Sequence, residues 1–290
     1  MIKIATDSNS GISQEEAKEL GVSVVPMPFV IDGVEYYDGV TLDHEGFYNH
    51  LANDASVSTS QPSQYTIKEL WDNLLVDADK VIFIPMSSGL SATYDSSENL
   101  AKEYNGKVLV VNNKRISVSL RQSVLDAVNM VKDGYSAEEI KEYLENDTYN
   151  SSIYITLDTL KYLKKGGRLT PAAATLAALL RIKPVLQIQG EKLDTYAKVF
   201  NNAVAKAKMN SAIKKDLETR FSEFVENDEM KLWVVHSHSL DNALKYKEEV
   251  QKAFPNIEVL GPLELSLSVA CHIGPGALAL ATAKQYVSKK

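Results

Sequence analysis

Apolar and polar positions along the first half of the chain follow a pattern that predicts strands separated by helices. The clearest example begins with the apolar run Val81–Ile84, which predicts a buried strand, and continues with the hydroxyl-rich segment Ser87–Ser91. A helix is predicted next, over Ala92–Tyr104. Because this order of strand, polar segment and helix recurs up to about residue 150, the sequence predicts a mostly parallel sheet with flanking helices.

The other elements of this half are predicted from the same pattern. They are strands over Ile2–Ala5 and Lys107–Val111, an extended segment over Val22–Val30, a hairpin around Asp32-Gly33, a polar loop over Val57–Ser63, and helices from Ser13 to about Leu20, over Leu42–Leu51, Tyr65–Leu75 and Ser117–Val131, and after Ser136. Pro26 and Pro28 favour a sheet edge for the extended segment. Ligands of parallel sheets lie beyond the carboxyl ends of strands, which makes Asp7-Ser8, Thr59-Ser60 and Ser87-Ser88 candidate binding residues.

The second half of the chain has a different pattern. It predicts strands over Ser152–Thr156, Leu232–Val235 and Ile257–Leu260, a hairpin of Val185–Ile188 with Lys192–Tyr196, helices over Leu157–Leu163, Pro171–Leu180, Ala203–Val225 and Asp241–Phe254, and a strand or helix over Ala277–Ala283. The helix Pro171–Leu180 is apolar almost all round and is therefore expected to be buried. We predict two domains: an α/β domain over residues 1–150 and an α+β domain over residues 151–290.

Composition and charge narrow the class of protein. The 290 residues are 44% hydrophobic and 24% charged, which is typical of a soluble globular protein, and the net charge of −7 argues against a polyanion as the main partner. A single cysteine, Cys271, excludes an intrachain disulfide and suits a reducing compartment. The sequence shows no signal peptide, and its longest apolar stretch, Ala172–Leu180, is too short to span a bilayer. A cytoplasmic location is therefore expected.

Three stretches carry candidate chemistry, and each has an ordinary structural explanation beside the functional one. The hydroxyls and backbone N–H groups of Ser87–Ser91 could converge on an anion, or Ser91 could simply cap the following helix. In Lys164-Lys165-Gly166-Gly167-Arg168 the glycines suit a helix C-cap, but a C-cap does not require Arg168, whose guanidinium suits a carboxylate or phosphate. His272 precedes Ile-Gly-Pro-Gly, which would hold its ring on a tightly turned backbone, as a binding group or as a histidine with structural hydrogen bonds.

Several other chemistries lack support in the sequence. The pair His236 and His238 has no third ligand at a metal-site spacing, so no metal is predicted. Neither a Gly-x-Ser-x-Gly elbow nor a nucleotide-binding glycine motif is present. An enzyme that acts on a small acyl or anionic substrate through Ser88 and His272 remains an alternative.

The motifs taken together resemble the DegV family, the bacterial fatty acid-binding proteins that act as the FakB subunit of fatty acid kinase. The resemblance runs nearly end to end and rests on Thr6-Asp7-Ser8, the region of Asp38, Thr59-Ser60-Gln61-Pro62-Ser63, Met86–Thr93, Lys164–Arg168, Ile182-Lys183-Pro184 and His272-x-Gly-Pro-Gly. Each motif alone is weak, but their order and spacing are specific to that family.

The resemblance implies a carrier that is not itself an enzyme. One long-chain fatty acid would lie between two domains, with its acyl chain in an apolar tunnel of the second domain and no other cofactor. The residues implied for the carboxylate are Thr59, Ser60, Ser87, Ser88, His272 and Gly274, and those implied for phosphoryl transfer or partner binding are Arg168 and Asp38. A separate kinase subunit would use ATP to form an acyl phosphate for phospholipid synthesis.

The chain departs from the family pattern at two places. The family often has a strand followed by Asp-Ser or Asp-Thr and a helix start that contains glycine, whereas this chain has Val111–Ser117 there. Phe200 stands where the family often has the arginine of a Lys-x-Arg element. The second departure bears on partner docking more than on lipid binding. A binding protein for another lipid, or a regulator without kinase coupling, is a further alternative.

Overall fold

A computed structural model of the chain describes residues 1–163, 170, 173 and 182–288. Its strands are β1 Ile2–Asp7, β2 Val22–Val25, β3 Pro28–Ile31, β4 Val34–Tyr37, β5 Val57–Thr59, β6 Lys80–Ile84, β7 Val108–Val110, β8 Ser151–Thr156, β9 Lys183–Ile188, β10 Asp194–Val199, β11 Met230–His236, β12 Val259–Glu264 and β13 Leu278–Lys284. Its helices are α1 Gln14–Leu20, α2 His44–Ala52, α3 Gln64–Leu74, α4 Thr93–Ala101, α5 Ser117–Lys132, α6 Ala137–Asn146, α7 Asn202–Glu218, α8 Ser222–Glu226, α9 Leu240–Ala253 and α10 Leu267–Ile273.

The described strands form three sheets. The first half of the chain builds a parallel sheet in the order β2-β1-β6-β7 and a small antiparallel sheet in the order β4-β3-β5. The second half builds a six-stranded sheet in the order β10-β9-β8-β13-β11-β12, antiparallel except for the parallel pair β11 and β12. The predicted α/β fold, with a parallel sheet and flanking helices followed by a mixed α and β part, is confirmed.

Local chemistry explains most of the predicted elements. The hairpin at Asp32-Gly33 joins β3 to β4, and both turn residues have positive φ angles of 48° and 85°, which the Asp-Gly pair tolerates well. Pro28 lies in β3, the central strand of its sheet, and not at an edge as predicted. It is accommodated because it is the first residue of the strand, where its missing N–H removes no interior ladder bond.

Other segments differ from the sequence prediction. Val57–Thr59 forms β5, within the predicted polar loop, because it pairs with β3. The helix predicted over Ala203–Val225 is broken at Thr219, after which Phe221 turns inward and is buried. Residues 157–162 form bends and turns, not the predicted helix. The segment 277–283 is resolved as strand, since β13 pairs with both β8 and β11.

The two halves of the chain meet through α10. This helix belongs to the second half, yet Leu267 and Cys271 pack against Phe29 and Phe47 of the first half. The predicted domain boundary stays a prediction, although β8 does begin at Ser151. Within the part of the chain that the structure describes, no helix is both long and apolar enough to cross a membrane.

Candidate ligand-binding site

A cavity of about 290 Å³ lies where the two halves of the chain meet. The first half supplies residues from the ends of β1 and β5 and from the turn after β6, and the second half supplies α10 and the β9–β10 hairpin. The lining residues are Asn9, Met27, Thr59, Ser60, Gln61, Met86, Leu90, Ser91, Ala92, Ile116, Leu163, Leu193, Ser268, Val269, His272 and Ile273. Most of this wall is apolar, and the hydroxyls, amides and imidazole are a minority.

The polar centre of the cavity is the pair Thr59 and His272. Their side chains come from positions 213 residues apart and are joined by a hydrogen bond of 2.8 Å between Thr59 Oγ1 and His272 Nε2. Both residues line the cavity, as does the neighbouring Ser60. The structure therefore brings together three of the six residues implied for a carboxylate.

The backbone after His272 requires glycine. His272 lies in the last turn of α10, and Gly274 ends that helix with a φ of 75°. A Cβ atom at Gly274 would come within 2.2 Å of the Tyr162 ring. Gly274 itself therefore fixes the turn that holds the imidazole.

A buried polar cluster holds the other end of α10. Asp38 accepts hydrogen bonds from the Leu267 backbone N–H at 3.1 Å and from the Ser8 hydroxyl at 2.9 Å. Asn9 Oδ1 accepts from the hydroxyls of Ser266 and Ser268 at 3.1 Å and 2.5 Å. Burial raises the pKa of Asp38, and the two hydrogen bonds oppose that rise.

Asp38 is thus engaged inside the protein. Its side chain is only 6% exposed, and both carboxylate oxygens accept hydrogen bonds there. Because Leu267 N–H is one of the unbonded donors of the first turn of α10, Asp38 stabilises the helix that carries His272. This geometry lets Asp38 position α10, and the role in phosphoryl transfer or partner binding that the resemblance implies stays a prediction.

Asp7 connects the end of β1 to the turn after β6. Its carboxylate accepts hydrogen bonds from the backbone N–H groups of Met86 at 2.7 Å and Asn9 at 3.0 Å. Complete burial raises the pKa of Asp7 to about 6, although these hydrogen bonds oppose the rise. Asp7 therefore positions Met86 and Asn9, both of which line the cavity.

The serines of the Ser87–Ser91 turn are arranged differently from the prediction. The Ser87 hydroxyl donates to the Glu191 carbonyl at 3.1 Å, and the Ser88 hydroxyl donates to Asn112 Oδ1 at 3.1 Å. The carbonyl of Ser87 accepts the N–H groups of Leu90 and Ser91, so the chain turns tightly. This turn directs Leu90, Ser91 and Ala92 to the cavity wall in place of the two predicted serines.

A smaller chamber of about 50 Å³ lies beside the cavity, toward the six-stranded sheet. Its walls present only apolar atoms, among them Ile153, Ile155, Val235 and Ala279. The chamber shares part of its wall with the larger cavity, through Ile116, Leu193, Val269 and Ile273. The two spaces are therefore adjacent, with polar groups in the larger one and only apolar atoms facing the smaller one.

Sequence reasoning missed several of these wall residues. Asn9 lies one residue beyond the predicted Asp7-Ser8 pair, so the strand end gave a usable signal. Leu193 and Val269 carry no motif, and the fold alone brings them together. Arg168 and nearly all of the predicted helix Pro171–Leu180 lie outside the described residues.

Among the described residues, no group of three or more His, Cys, Asp or Glu side chains is arranged so that it could hold a metal ion. The His238 ring stacks on Tyr48 with ring centroids 4.3 Å apart. His236 is buried, and this burial lowers its pKa. His236 is thus packed into the fold, whereas His238 is exposed and held by its ring contact with Tyr48.

The fold and site define an α/β protein with a largely apolar cavity that opens at a cluster of polar groups. A family model described as an uncharacterised protein of the DegV family matches residues 1–285. The chain therefore belongs to the DegV family.

Individual relatives are similar over nearly their whole length. A DegV domain-containing protein of Staphylococcus aureus is 29% identical over 97% of this chain and 98% of its own. The solved structure of a DegV family protein from Thermus thermophilus, described for its fatty acid binding, is 28% identical with a TM-score of 0.88 over 98% of this chain and 99% of that one. A stearic acid-binding protein from Eubacterium ventriosum shares the fold, with a TM-score of 0.89 at 23% identity over 99% of each chain.

Proposed function

We propose that this protein binds a long-chain fatty acid and presents it to a separate, ATP-dependent fatty acid kinase. The observation that carries the first part is the 2.8 Å contact of Thr59 with His272 in a cavity that adjoins an entirely apolar chamber. A ligand that would occupy both spaces has one polar end and a long hydrocarbon chain. The fatty acid binding described for the relative from Thermus thermophilus supports the same ligand class.

The carboxylate lies at Thr59, Ser60 and His272 in this proposal. A buried carboxylate must accept hydrogen bonds to offset its lost hydration, and hydroxyls and an imidazole N–H donate them. Ser91 is a further candidate donor, because it lines the same cavity where the sequence suggested Ser87 and Ser88. The acyl chain then passes Leu193 and Ile273 into the inner chamber.

Presentation to a kinase rests on the family resemblance and is the finer part of the proposal. The kinase would supply ATP, and the acyl phosphate product would enter phospholipid synthesis in the cytoplasm. Phe200 is 77% exposed on the surface, at the position of the arginine that the family often has. If the kinase contacts this position, it meets the apolar ring of Phe200 in place of a charged arginine.

The enzyme alternative gains no specific support from the geometry. A serine nucleophile requires a hydrogen bond to its base. Ser88 Oγ donates to Asn112, whereas His272 Nε2 contacts Thr59. We therefore do not favour catalysis through Ser88 and His272.

The ligand is tested by mass spectrometry of material extracted from purified protein, followed by titration. Thr59→Val and His272→Ala should weaken palmitate binding by roughly 10- to 100-fold, as expected for the loss of a hydrogen bond to a charged group. The affinity for methyl palmitate, which lacks the charge, should fall much less in both variants. Equal losses for both ligands would show that these residues only shape the cavity.

Kinase presentation needs a reconstituted assay with the partner subunit. Arg168→Ala should reduce acyl phosphate formation more than it reduces palmitate affinity, because a guanidinium stabilises developing phosphate charge. Phe200→Arg should strengthen the functional interaction with the kinase and leave palmitate affinity unchanged. Palmitate binding without any phosphorylation, by the wild type or by Phe200→Arg, would overturn the kinase part alone.

A further inference from the structure

A second cleft, of about 410 Å³, lies on the other face of the six-stranded sheet. It opens between the N-terminal parts of α7 and α9, above the edge of the sheet where β8 and β11 end. Its lining residues are Thr156, Asn202, Ala203, Lys206, Ala207, Asn210, Ser239, Asn242, Glu249, Gly276 and Leu278. The lining is mainly polar, in contrast to the apolar chamber on the opposite face.

The beginnings of both helices contribute residues to the lining of this cleft. The first-turn N–H groups of a helix have no partner within the helix. In α7 the Asn201 side chain accepts from Val204 N–H at 2.9 Å, and the earlier donors, those of Asn202 and Ala203, belong to residues that line the cleft. In α9 the N-cap residue Ser239 makes no side-chain capping bond.

Thr156 is a second, independent feature of the cleft. Its side chain is only 4% exposed and lines the cleft, and its Oγ1 atom has no hydrogen-bond partner among the described residues. Thr156 follows Tyr154 by two positions and so faces α7 and α9, against which Tyr154 packs. A buried hydroxyl without a partner is unfavourable, and a ligand oxygen at this position would satisfy it.

The charges around the cleft are nearly balanced. Lys206 Nζ lies 3.1 Å from Glu249 Oε1, so the lysine offsets that carboxylate. Asp158 contacts Gly276, which lines the cleft, and pairs with Lys183 at 2.7 Å. Asp241 in the first turn of α9 offsets the dipole of that helix. The first turn of α7 carries no acidic residue, so its positive end attracts an anion.

We propose that this cleft binds a phosphate group, either inorganic phosphate or the phosphate of a small monoester. Helix N-termini with unpaired N–H groups are favourable sites for phosphate oxygens. The Thr156 hydroxyl and the Lys206 ammonium add side-chain donors, and the amides of Asn202, Asn210 and Asn242 suit the hydroxyls of an attached organic part. Because the apolar chamber lies on the opposite face of the sheet, this site is independent of fatty acid binding.

Isothermal titration calorimetry with inorganic phosphate and with ribose 5-phosphate tests the proposal. We expect Thr156→Val to weaken the binding of both ligands by about 10-fold or more. This variant should fold, because it removes a buried hydroxyl that has no partner and keeps the β-branched shape. Thr282→Val is the matched control. Thr282 lies near the end of β13, away from Leu278, which pairs with Thr156. Its hydroxyl donates to the Lys231 carbonyl at 2.9 Å.

A second pair of variants tests the backbone donors. Asn202 is the first residue of α7, where proline is tolerated and removes the N–H group. Asn202→Pro should therefore weaken phosphate binding more than Asn202→Ala, which retains the donor. Tighter binding of ribose 5-phosphate than of inorganic phosphate identifies a monoester as the ligand, and the reverse identifies phosphate itself. Absence of binding at millimolar phosphate, or equal affinity of wild type and Thr156→Val, would overturn the proposal.

Discussion

The two faces of the six-stranded sheet are packed differently, although the same strands supply both. On one face Tyr154, Val234 and Leu280 pack against Met209 and Tyr246 of α7 and α9, and the 410 Å³ cleft lies only where the strands end. On the other face the adjacent residues Ile155, Val235 and Ala279 border the inner chamber. Successive side chains of a strand point to opposite faces. Of two neighbouring residues, one therefore packs against the helices and the other borders the chamber.

The difference teaches how one sheet can combine stability with ligand binding. The closed face uses aromatic rings to fill its volume, among them Tyr154 and Tyr246. The chamber face uses branched and small residues such as Ile153 and Ala279, which leave space in front of the sheet. We therefore expect substitutions on the closed face to change stability, and those on the chamber face to change ligand affinity.

The largest contrast in stability should come from two adjacent valines of β11. Both are buried, but Val234 lies on the closed face and Val235 on the chamber face. Val234→Ala leaves a new cavity and should cost about 2–3 kcal/mol, whereas Val235→Ala only enlarges an existing one and should cost about 1 kcal/mol. Urea denaturation of the ligand-free variants measures both values. Equal losses would mean that the two faces are equally well packed.

Filling the chamber should have the next largest effect, on ligand affinity. Ala279→Leu adds three carbons to the chamber wall and displaces two or three methylenes of a long acyl chain. At about 0.8 kcal/mol per methylene, palmitate affinity should fall by roughly 10- to 50-fold. Octanoate is the control, since its shorter chain should not reach this wall. A similar loss for octanoate would place the end of the acyl chain elsewhere.

Features set by local chemistry could be predicted from the sequence. Asp32-Gly33 predicts the hairpin because both turn residues need positive φ angles, and the strand-helix alternation predicts the parallel sheet. The segment 277–283 was ambiguous because alanine and leucine suit both structures, and its pairing with β8 and β11 decides the matter. The strand structure of this segment thus depends on pairing partners more than 40 positions away. The local sequence pattern carries no information about them.

The site was predictable only in part for the same reason. Thr59 and His272 follow from the family motifs, and the structure brings them within 2.8 Å. Which serine of the Ser87–Ser91 turn faces the cavity depends on Glu191, whose carbonyl holds the Ser87 hydroxyl from 104 residues away. The roles of Arg168 and Phe200 stay predictions.

The helices that cover the two faces each carry a buried aspartate, and these differ as the faces do. On the closed side, Asp216 of α7 accepts hydrogen bonds from Tyr154 at 2.8 Å and Gln189 at 3.4 Å. On the chamber side, Asp126 of α5 accepts through Oδ1 only, and its Oδ2 has no partner among the described residues. Burial raises the pKa of Asp126 to about 7, although hydrogen bonds from Tyr286 and Gln122 oppose the rise.

The smallest expected effect is therefore a pH-dependent one at Asp126. Because the folded protein holds this proton up to about pH 7 and the unfolded chain releases it near pH 4, the folded state binds more protons between these values. The free energy of unfolding should then fall as pH rises through this window.

Asp126→Asn abolishes the penalty and should raise stability by about 1–2 kcal/mol at pH 8 but hardly at pH 4. Asp216→Asn, the matched control, should instead lower stability because it disturbs a satisfied network. Urea denaturation at both pH values decides the question, and a stability gain of Asp126→Asn that is equal at pH 4 and pH 8 would contradict the titration argument.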